Sequence, residues 1–255
     1  MLDRHPEEIW GQTYADAWIE RAEAEGTVPG ADVYRQYLDR LDIGPHHAVL
    51  DLGVGTGRLL PELLRRGGRV CGMDISTVMM SRVRERLGRQ APLVNGDAQC
   101  LPFADGSFDR IVAWAMWENV PDQRRALSEV ARVLRPGGRL LFTSKSLMNP
   151  RSLQLAWRRV QQGLVRRLWR WACRRPAVVR VLPRWLRGKC ERVAARTEVP
   201  QYPTLWPTFA RAARRLGLSV TLLDKFASGT LCDEVRLPNR THFHQQFVAV
   251  LEKRL

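Results

Sequence analysis

The sequence predicts an α/β fold: a doubly wound, mostly parallel sheet with helices on both faces. Three observations predict it. Short apolar runs alternate with segments of helical periodicity between residues 45 and 145. The first such run leads into a glycine-rich loop, "VLDLGVGTGRLL" at 49–60. Three successive runs end at an acid, Asp51, Asp74 and Asp97, and the strand ends of an open α/β sheet are its ligand side.

The elements follow in order. Residues 6–25 read as a helix carrying Trp10, Tyr14 and Trp18 at i, i+4 and i+8 on one face, and residues 31–41 as a second. "HAVLDLG" is a buried strand, and "RLLPELLRRG" a helix that ends at Gly67 and Gly68. "RVCGMDIS" is the second strand, with Ser76 placed to cap a helix reaching Leu87. "APLVNGDA" and "FDRIVAWAM" are the third and fourth strands. "PDQRRALSEVARVL" is a helix with proline at its start, and "PGGRLLFTS" a turn into the fifth strand. The pattern then breaks at residues 150–200, which are rich in Arg and Trp with helical periodicity. "PTFARAARRLG" resumes it as a helix, "LSVTLLDKF" as a strand and "THFHQQFVAVLEKR" as a long last strand. Four parts result: an N-terminal helical lid at 1–44, a ligand-binding core at 45–149, a basic amphipathic helical insertion at 150–200, and the rest of the sheet domain at 201–255.

A chain of 255 residues with 45% hydrophobic content can bury one large core. Its net charge of +15 implies an anionic partner. That charge is local: residues 150–200 hold 14 Lys and Arg against 2 Asp and Glu, a net +12. The five cysteines, Cys71, Cys100, Cys173, Cys190 and Cys232, form no CxxC pair, so neither a zinc site nor a disulfide framework is indicated. A reduced, cytoplasmic setting follows, with peripheral membrane contact as an option. The charged N-terminal stretch lacks the apolar centre of a signal peptide, and no apolar run has the length of a bilayer span.

Gly53, Gly55 and Gly57 give G-x-G-x-G, with Arg58 where a dinucleotide fingerprint continues toward its third glycine. No G-x-x-x-x-G-K-S/T is present, which excludes a phosphate-cradling loop of that kind. The acids decide the ligand's chemistry. Asp51 suits a cationic amino group, Asp74 can accept two ribose hydroxyls, and Asp97 lies within reach of a base amino group. Together they favour a ligand with an amino acid, a ribose and an adenine, and no phosphate.

Here the chain resembles the class I S-adenosylmethionine (SAM)-dependent methyltransferases. "VLDLGVGTG", "GMDISTVMM", "NGDAQCLPFADGSFD" and "LRPGGRLLF" look like that family's motifs and come in its order over residues 45–145. The resemblance implies a seven-stranded sheet whose last strand is antiparallel, and SAM as cofactor. It implies that Asp51 and Gly53, Gly55 and Gly57 hold the methionine end and Asp74 the ribose. Ile75 and Met79 would pack the adenine, Asp97 and Ala98 read its amino edge, and Trp114 stand near the sulfonium. Tyr14 is the lid candidate. The stretch from "FDRIVAWAM" through "ENVPD" and its helix also resembles the methyltransferase type 11 or quinone C-methyltransferase branch.

Methyl transfer from a sulfonium is an in-line displacement for which proximity and orientation supply much of the rate. No catalytic dyad is visible. Candidate polar groups are Glu118 and Asn119 after the fourth strand, His242 and His244 near the last strand, and His5. The chain has "AWAMWEN" where enzymes acting on base amino groups carry N/D-P-P-Y/F, and no cysteine at that strand end. A small-molecule acceptor, hydrophobic or membrane-associated, is the leading expectation. A nucleic-acid (RNA) methyltransferase and a non-catalytic SAM-binding module are the alternatives.

In the insertion, Leu153, Trp157, Val160, Leu164, Leu168 and Trp171 share a helical face that Arg158, Arg159, Arg166 and Arg170 largely avoid. Three roles are open: a lid over the acceptor pocket, contact with an anionic membrane, and a grip on nucleic-acid phosphates, in that order of expectation. The oligomeric state is not legible.

Overall fold

The computed structural model describes residues 31–145, 202, 204–225 and 246–254, together with Leu168, Trp171, Cys173, Arg174 and Pro183. The first described helix, α1, is Ala31–Asp39; β1 (Ala48–Leu52), α2 (Leu60–Arg65), β2 (Arg69–Asp74), α3 (Thr77–Leu87) and β3 (Leu93–Asn95) follow. β4 (Phe108–Ala113) leads through a 3-10 turn at Trp117–Asn119 into α4 (Gln123–Val133), which runs straight into β5 (Leu134–Lys145). α5 (Trp206–Arg215), β6 (Leu218–Lys225) and β7 (Gln246–Lys253) complete the described elements.

The seven strands form one sheet in the order β3-β2-β1-β4-β5-β7-β6. β1 to β5 are parallel neighbours, and β7 runs antiparallel between β5 and β6. The strand order reverses between β1 and β4. Their carboxyl ends therefore open a crevice, because the connections from the two strands leave in opposite directions.

Successive side chains of a strand point to opposite faces, so one apolar run feeds two cores. Leu50, Ile111, Leu140 and Phe142 pack with Leu127 and Val130 of α4 and Phe209 of α5. Their neighbours Val49, Val112 and Leu141 pack on the other face with Tyr37, Leu38, Leu63 and Val83. Full burial of each such side chain contributes roughly 1.5–3 kcal/mol, so both faces hold the sheet.

Local chemistry adjusts several boundaries. α2 is shorter than the "RLLPELLRRG" pattern, because Pro61 sits in its first turn and Gly67 leaves it at φ +85°. Ser76 caps α3 as expected, its Oγ accepting the Met79 N–H at 3.3 Å. Pro121 stands one residue ahead of the α4 cap: Asp122 is the cap, accepting the N–H groups of Arg124 and Arg125. Pairing of β5 with β4 jumps from Phe108↔Leu134 to Arg110↔Arg139, so the Arg-Pro-Gly-Gly stretch bulges from the ladder. The last strand begins at Gln246. His242, His244, His5, Tyr14, the helix expected at 6–25 and most of 150–200 lie outside the described residues. Among the described residues, no helix is long and apolar enough to cross a membrane.

Candidate functional site

The crevice is built from the end of β1 outward. Asp51 pairs in register with Gly72 of β2 on one side and Val112 of β4 on the other, which puts it in the middle of the sheet. It is 2% exposed, and its Oδ2 has no hydrogen-bond partner among the described residues. Burial, with repulsion from Asp74 added, pushes its carboxyl up to about 7. A buried carboxylate without a cation is costly, and no described ion pair includes Asp51.

After Leu52 the chain turns. The N–H groups of Gly53 and Val54 both donate to the Met73 carbonyl, at 2.8 and 2.9 Å, drawing the loop over β2. Gly53 has φ +79°, and a Cβ there would lie 2.6 Å from Cβ of Met116, so only glycine fits. Above Gly55 there is room: a Cβ would meet nothing nearer than 3.9 Å. Gly57 has a different reason for being glycine. A Cβ there would stand 3.1 Å from Val83, so this residue lets the loop lie on α3.

Asp74 closes β2 and organises the loop. Its Oδ2 accepts the Gly55 N–H at 2.8 Å and its Oδ1 the Ser76 N–H at 2.9 Å. Burial raises its pKa, while backbone N–H groups of Ser76, Gly55 and Ile75 pull it back. With three N–H groups on it, the carboxylate keeps a lone pair for a hydroxyl donor. Asn95, at the end of β3, donates its side-chain amide to the carbonyls of Asp74 and Ile75, both at 3.0 Å. Ile75 is half-buried beside it, and Met79 and Ala98 are buried. Both Asp97 oxygens face the Gln99 amide, at 2.9 and 3.2 Å, so this acid also shapes its own turn.

The β4 side is apolar. Trp114 is half-buried, its ring 5.9 Å from that of Tyr37 on α1. Ala115 takes φ +53°, and its N–H donates to Thr143 Oγ1 on β5 at 2.7 Å. That reversal swings Met116 back over Gly53, a position the linear spacing of the sequence does not reveal. Trp117 is fully buried, 5.1 Å from Phe142 and 5.7 Å from Phe209. Glu118 is buried beside it. The Asn119 amide donates to the Ala115 carbonyl at 3.4 Å, and its Oδ1 is buried without a partner among the described residues.

The geometry fits SAM on two counts: a buried carboxylate with an oxygen unpartnered among the described residues, for an ammonium, and open backbone at Gly55 beside an acid with a spare lone pair for a ribose. Asp74 on β2 stands on one flank of β1, and the turn after β4 on the other.

Comparison with known proteins agrees. A family model described as a methyltransferase domain matches residues 50–142. A demethylmenaquinone methyltransferase of Mycobacterium sp. (strain KMS) is 32% identical over 219 residues, covering 84% of this chain and 86% of the relative. A SAM-dependent methyltransferase of Mesorhizobium loti superposes with a TM-score of 0.59 at 18% identity, over 88% of this chain and 99% of that one. A methyltransferase of Haloferax volcanii, solved in complex with the Trm112 methyltransferase activator, gives 0.62 at 19% identity over 94% and 96%. These last two show the shared fold. Sequence identity over most of the chain and the acid-lined crevice together establish that this chain belongs to the SAM-dependent methyltransferases, with SAM as its cofactor.

Proposed function

We propose that the enzyme methylates a small hydrophobic ring acceptor of the quinol type, met at an anionic membrane surface. The observation that carries this reading is the mostly apolar turn after β4, where Met116 lies against Gly53 and Trp114 is half-buried. The relative of 32% identity, named for a demethylmenaquinone substrate, supports it.

In this reading Asp51 takes the ammonium of the cofactor and Asp74 its ribose hydroxyls. Ile75, Met79 and Ala98 enclose the base, and Asp97 meets its amino edge. Bound SAM supplies a methyl group on a sulfonium, already attached to a good leaving group. The chain's remaining task is orientation: Trp114 and Met116 hold the acceptor ring in line and keep water out. Glu118 is the carboxylate assigned to accept a proton from the acceptor, and Asn119 the amide assigned to orient its hydroxyl.

Membrane contact is supported by residues 150–200. Leu168 and Trp171 are 61% and 51% exposed, which favours a surface contact over burial within the chain. The net +12 of that stretch matches anionic headgroups, and Trp suits the interface.

The test is direct. Enzyme, SAM and a reduced short-chain demethylmenaquinone are incubated, and the product is read by mass spectrometry; total RNA serves as the competing acceptor. The reading predicts a methylated quinol and unlabelled RNA, with sedimentation on phosphatidylserine vesicles weakened by salt. Methylated RNA with no quinol product would replace it with the nucleic-acid reading.

A further inference from the structure

The turn after β4 is held from both sides. Below it, Trp117 sits in the aromatic cluster of Phe142 and Phe209. Above it, one side chain joins three separate pieces of the chain. Gln123, the first residue of α4, donates its amide to the Trp117 carbonyl at 3.1 Å and to the Tyr202 carbonyl at 2.6 Å. Its Oε1 accepts the Thr204 hydroxyl at 2.9 Å. Thr204 Oγ1 also lies 2.7 Å from Ser144 Oγ, at the end of β5. The Tyr202 N–H completes the ring by donating to the Glu118 carbonyl.

The Ser144–Thr204 bond is buried and the Gln123 bonds are part-buried. Thr204 and Ser144 are each 1% exposed, so their hydroxyls have one another and Gln123 in place of water. Ser144 stands near the end of β5 and Thr204 two residues before α5, so their bond ties the two together across 60 residues of sequence. Both sit beside the turn that carries Met116, Glu118 and Asn119. A neighbouring amide extends the connection to the cofactor side. Gln99, whose Nε2 faces Asp97, accepts the Asp122 N–H at 3.0 Å, one residue before Gln123.

We propose that Gln123 is a positioning residue, which with Thr204 and Ser144 fixes the acceptor-side wall formed by the 114–120 turn together with Tyr202 and Thr204. It does not touch the reacting atoms. It sets where Glu118, Asn119 and Met116 stand relative to Gly53. The wall is the one named under the quinol reading, and the proposal rests on that reading for the acceptor alone. The bonds themselves do not depend on what the acceptor is.

The test uses the full chain with Gln123→Leu and Thr204→Val, which keep volume and remove the polar links, and Thr204→Ser, which keeps the hydroxyl. Two readouts are taken. The first needs no acceptor: hydrogen exchange at the Asn119 and Tyr202 amides, with affinity for S-adenosylhomocysteine measured beside it. The proposal predicts about tenfold faster exchange at both amides in the Leu and Val variants, near wild-type exchange in Thr204→Ser, and affinity changed less than about twofold. The second is turnover of the reduced short-chain demethylmenaquinone, where KM for the quinol rises about tenfold and kcat falls less. If exchange at the two amides is unchanged, the proposal is overturned. Equal acceleration across β1 and β2 also overturns it, since the bonds then serve only global stability. Wild-type enzyme that ignores the quinol would sink the acceptor reading while the exchange result still decides the role of Gln123.

Discussion

The two edges of the sheet treat their acids in opposite ways. At the amino-terminal edge, acids meet arginines. Asp109, at the start of β4, accepts from Arg135 at 2.7 Å and from the Ala48 N–H at 2.8 Å, and these hold its carboxyl below the ordinary value against the cost of burial. Glu252, at the far end of β7, pairs with Arg139 at 3.0 Å. At the carboxyl edge, Asp51 and Asp74 are both pushed upward, mainly by burial, and no described ion pair includes either. The first edge is finished by the fold alone. Among the described residues the second is left short of a cation, which suits a binding edge for an ammonium-bearing cofactor.

The largest effect that would break this contrast comes from Asp51→Asn. Removing the charge should weaken S-adenosylhomocysteine binding by more than about a hundredfold, in line with the ~3 kcal/mol scale of a buried charged pair losing one partner. The same change should stabilise the ligand-free protein. Because the folded carboxyl is raised to about 7, the native state holds a proton that the unfolded chain releases near pH 4. The Asp51 contribution to wild-type stability therefore falls as pH rises from about 4 to 7. Asp51→Asn should escape that fall and gain about 2 kcal/mol at pH 8 by chemical denaturation. A variant that loses both binding and stability would show that Asp51 is structural.

Asp74→Asn should act less strongly, by about tenfold to fiftyfold in calorimetric affinity, since the amide keeps one acceptor oxygen for Gly55 or the ribose.

How much of this was legible in the linear sequence varies residue by residue. Asp51 and Asp74 stood out because each ends an apolar run, and a strand end places an acid at one edge whatever the tertiary details. The parallel core followed for the same reason: alternation of short runs and helices needs no long-range information. Met116 was hidden. It reaches Gly53 only because Ala115 adopts φ +53°, a conformation alanine gives no sign of preferring. Gln99, Asn95 and Gln123 were hidden because an amide is generic until its partners are known. Gly57 read as part of the ligand loop, yet its spacing to Val83 gives it a packing role. The insertion of β7 between β5 and β6 is a matter of strand pairing, which periodicity does not encode.

At the other edge the contrast predicts stability effects without binding effects. Asp109→Asn should cost about 1–2 kcal/mol at pH 7 and leave cofactor affinity unchanged. Its folded pKa is lowered, so its contribution is present above the ordinary carboxylate range and is lost as pH falls through the folded value. Mutant and wild-type denaturation curves should therefore converge in acid. The smallest effect belongs to Glu62 on α2. Its carboxyl is held down to about 2, chiefly by the Arg65 side chain, but Arg65 is 64% exposed and solvent screens the pair. Glu62→Gln should shift stability by less than about 1 kcal/mol, read by thermal melting.

Asp51 has no cation among the described residues, and in the proposed function the cofactor supplies it. Proton release on S-adenosylhomocysteine binding tests it most directly, by calorimetry at pH 6 and pH 8 in buffers of different ionisation enthalpy. With the Asp51 carboxyl at about 7 in the free protein and ionised in the complex, about one proton should leave at pH 6 and close to none at pH 8. Affinity should fall about tenfold per pH unit below 7, and the pH 6 release should vanish in Asp51→Asn. Binding that exchanges no protons at pH 6, with the same affinity as at pH 8, would contradict the account.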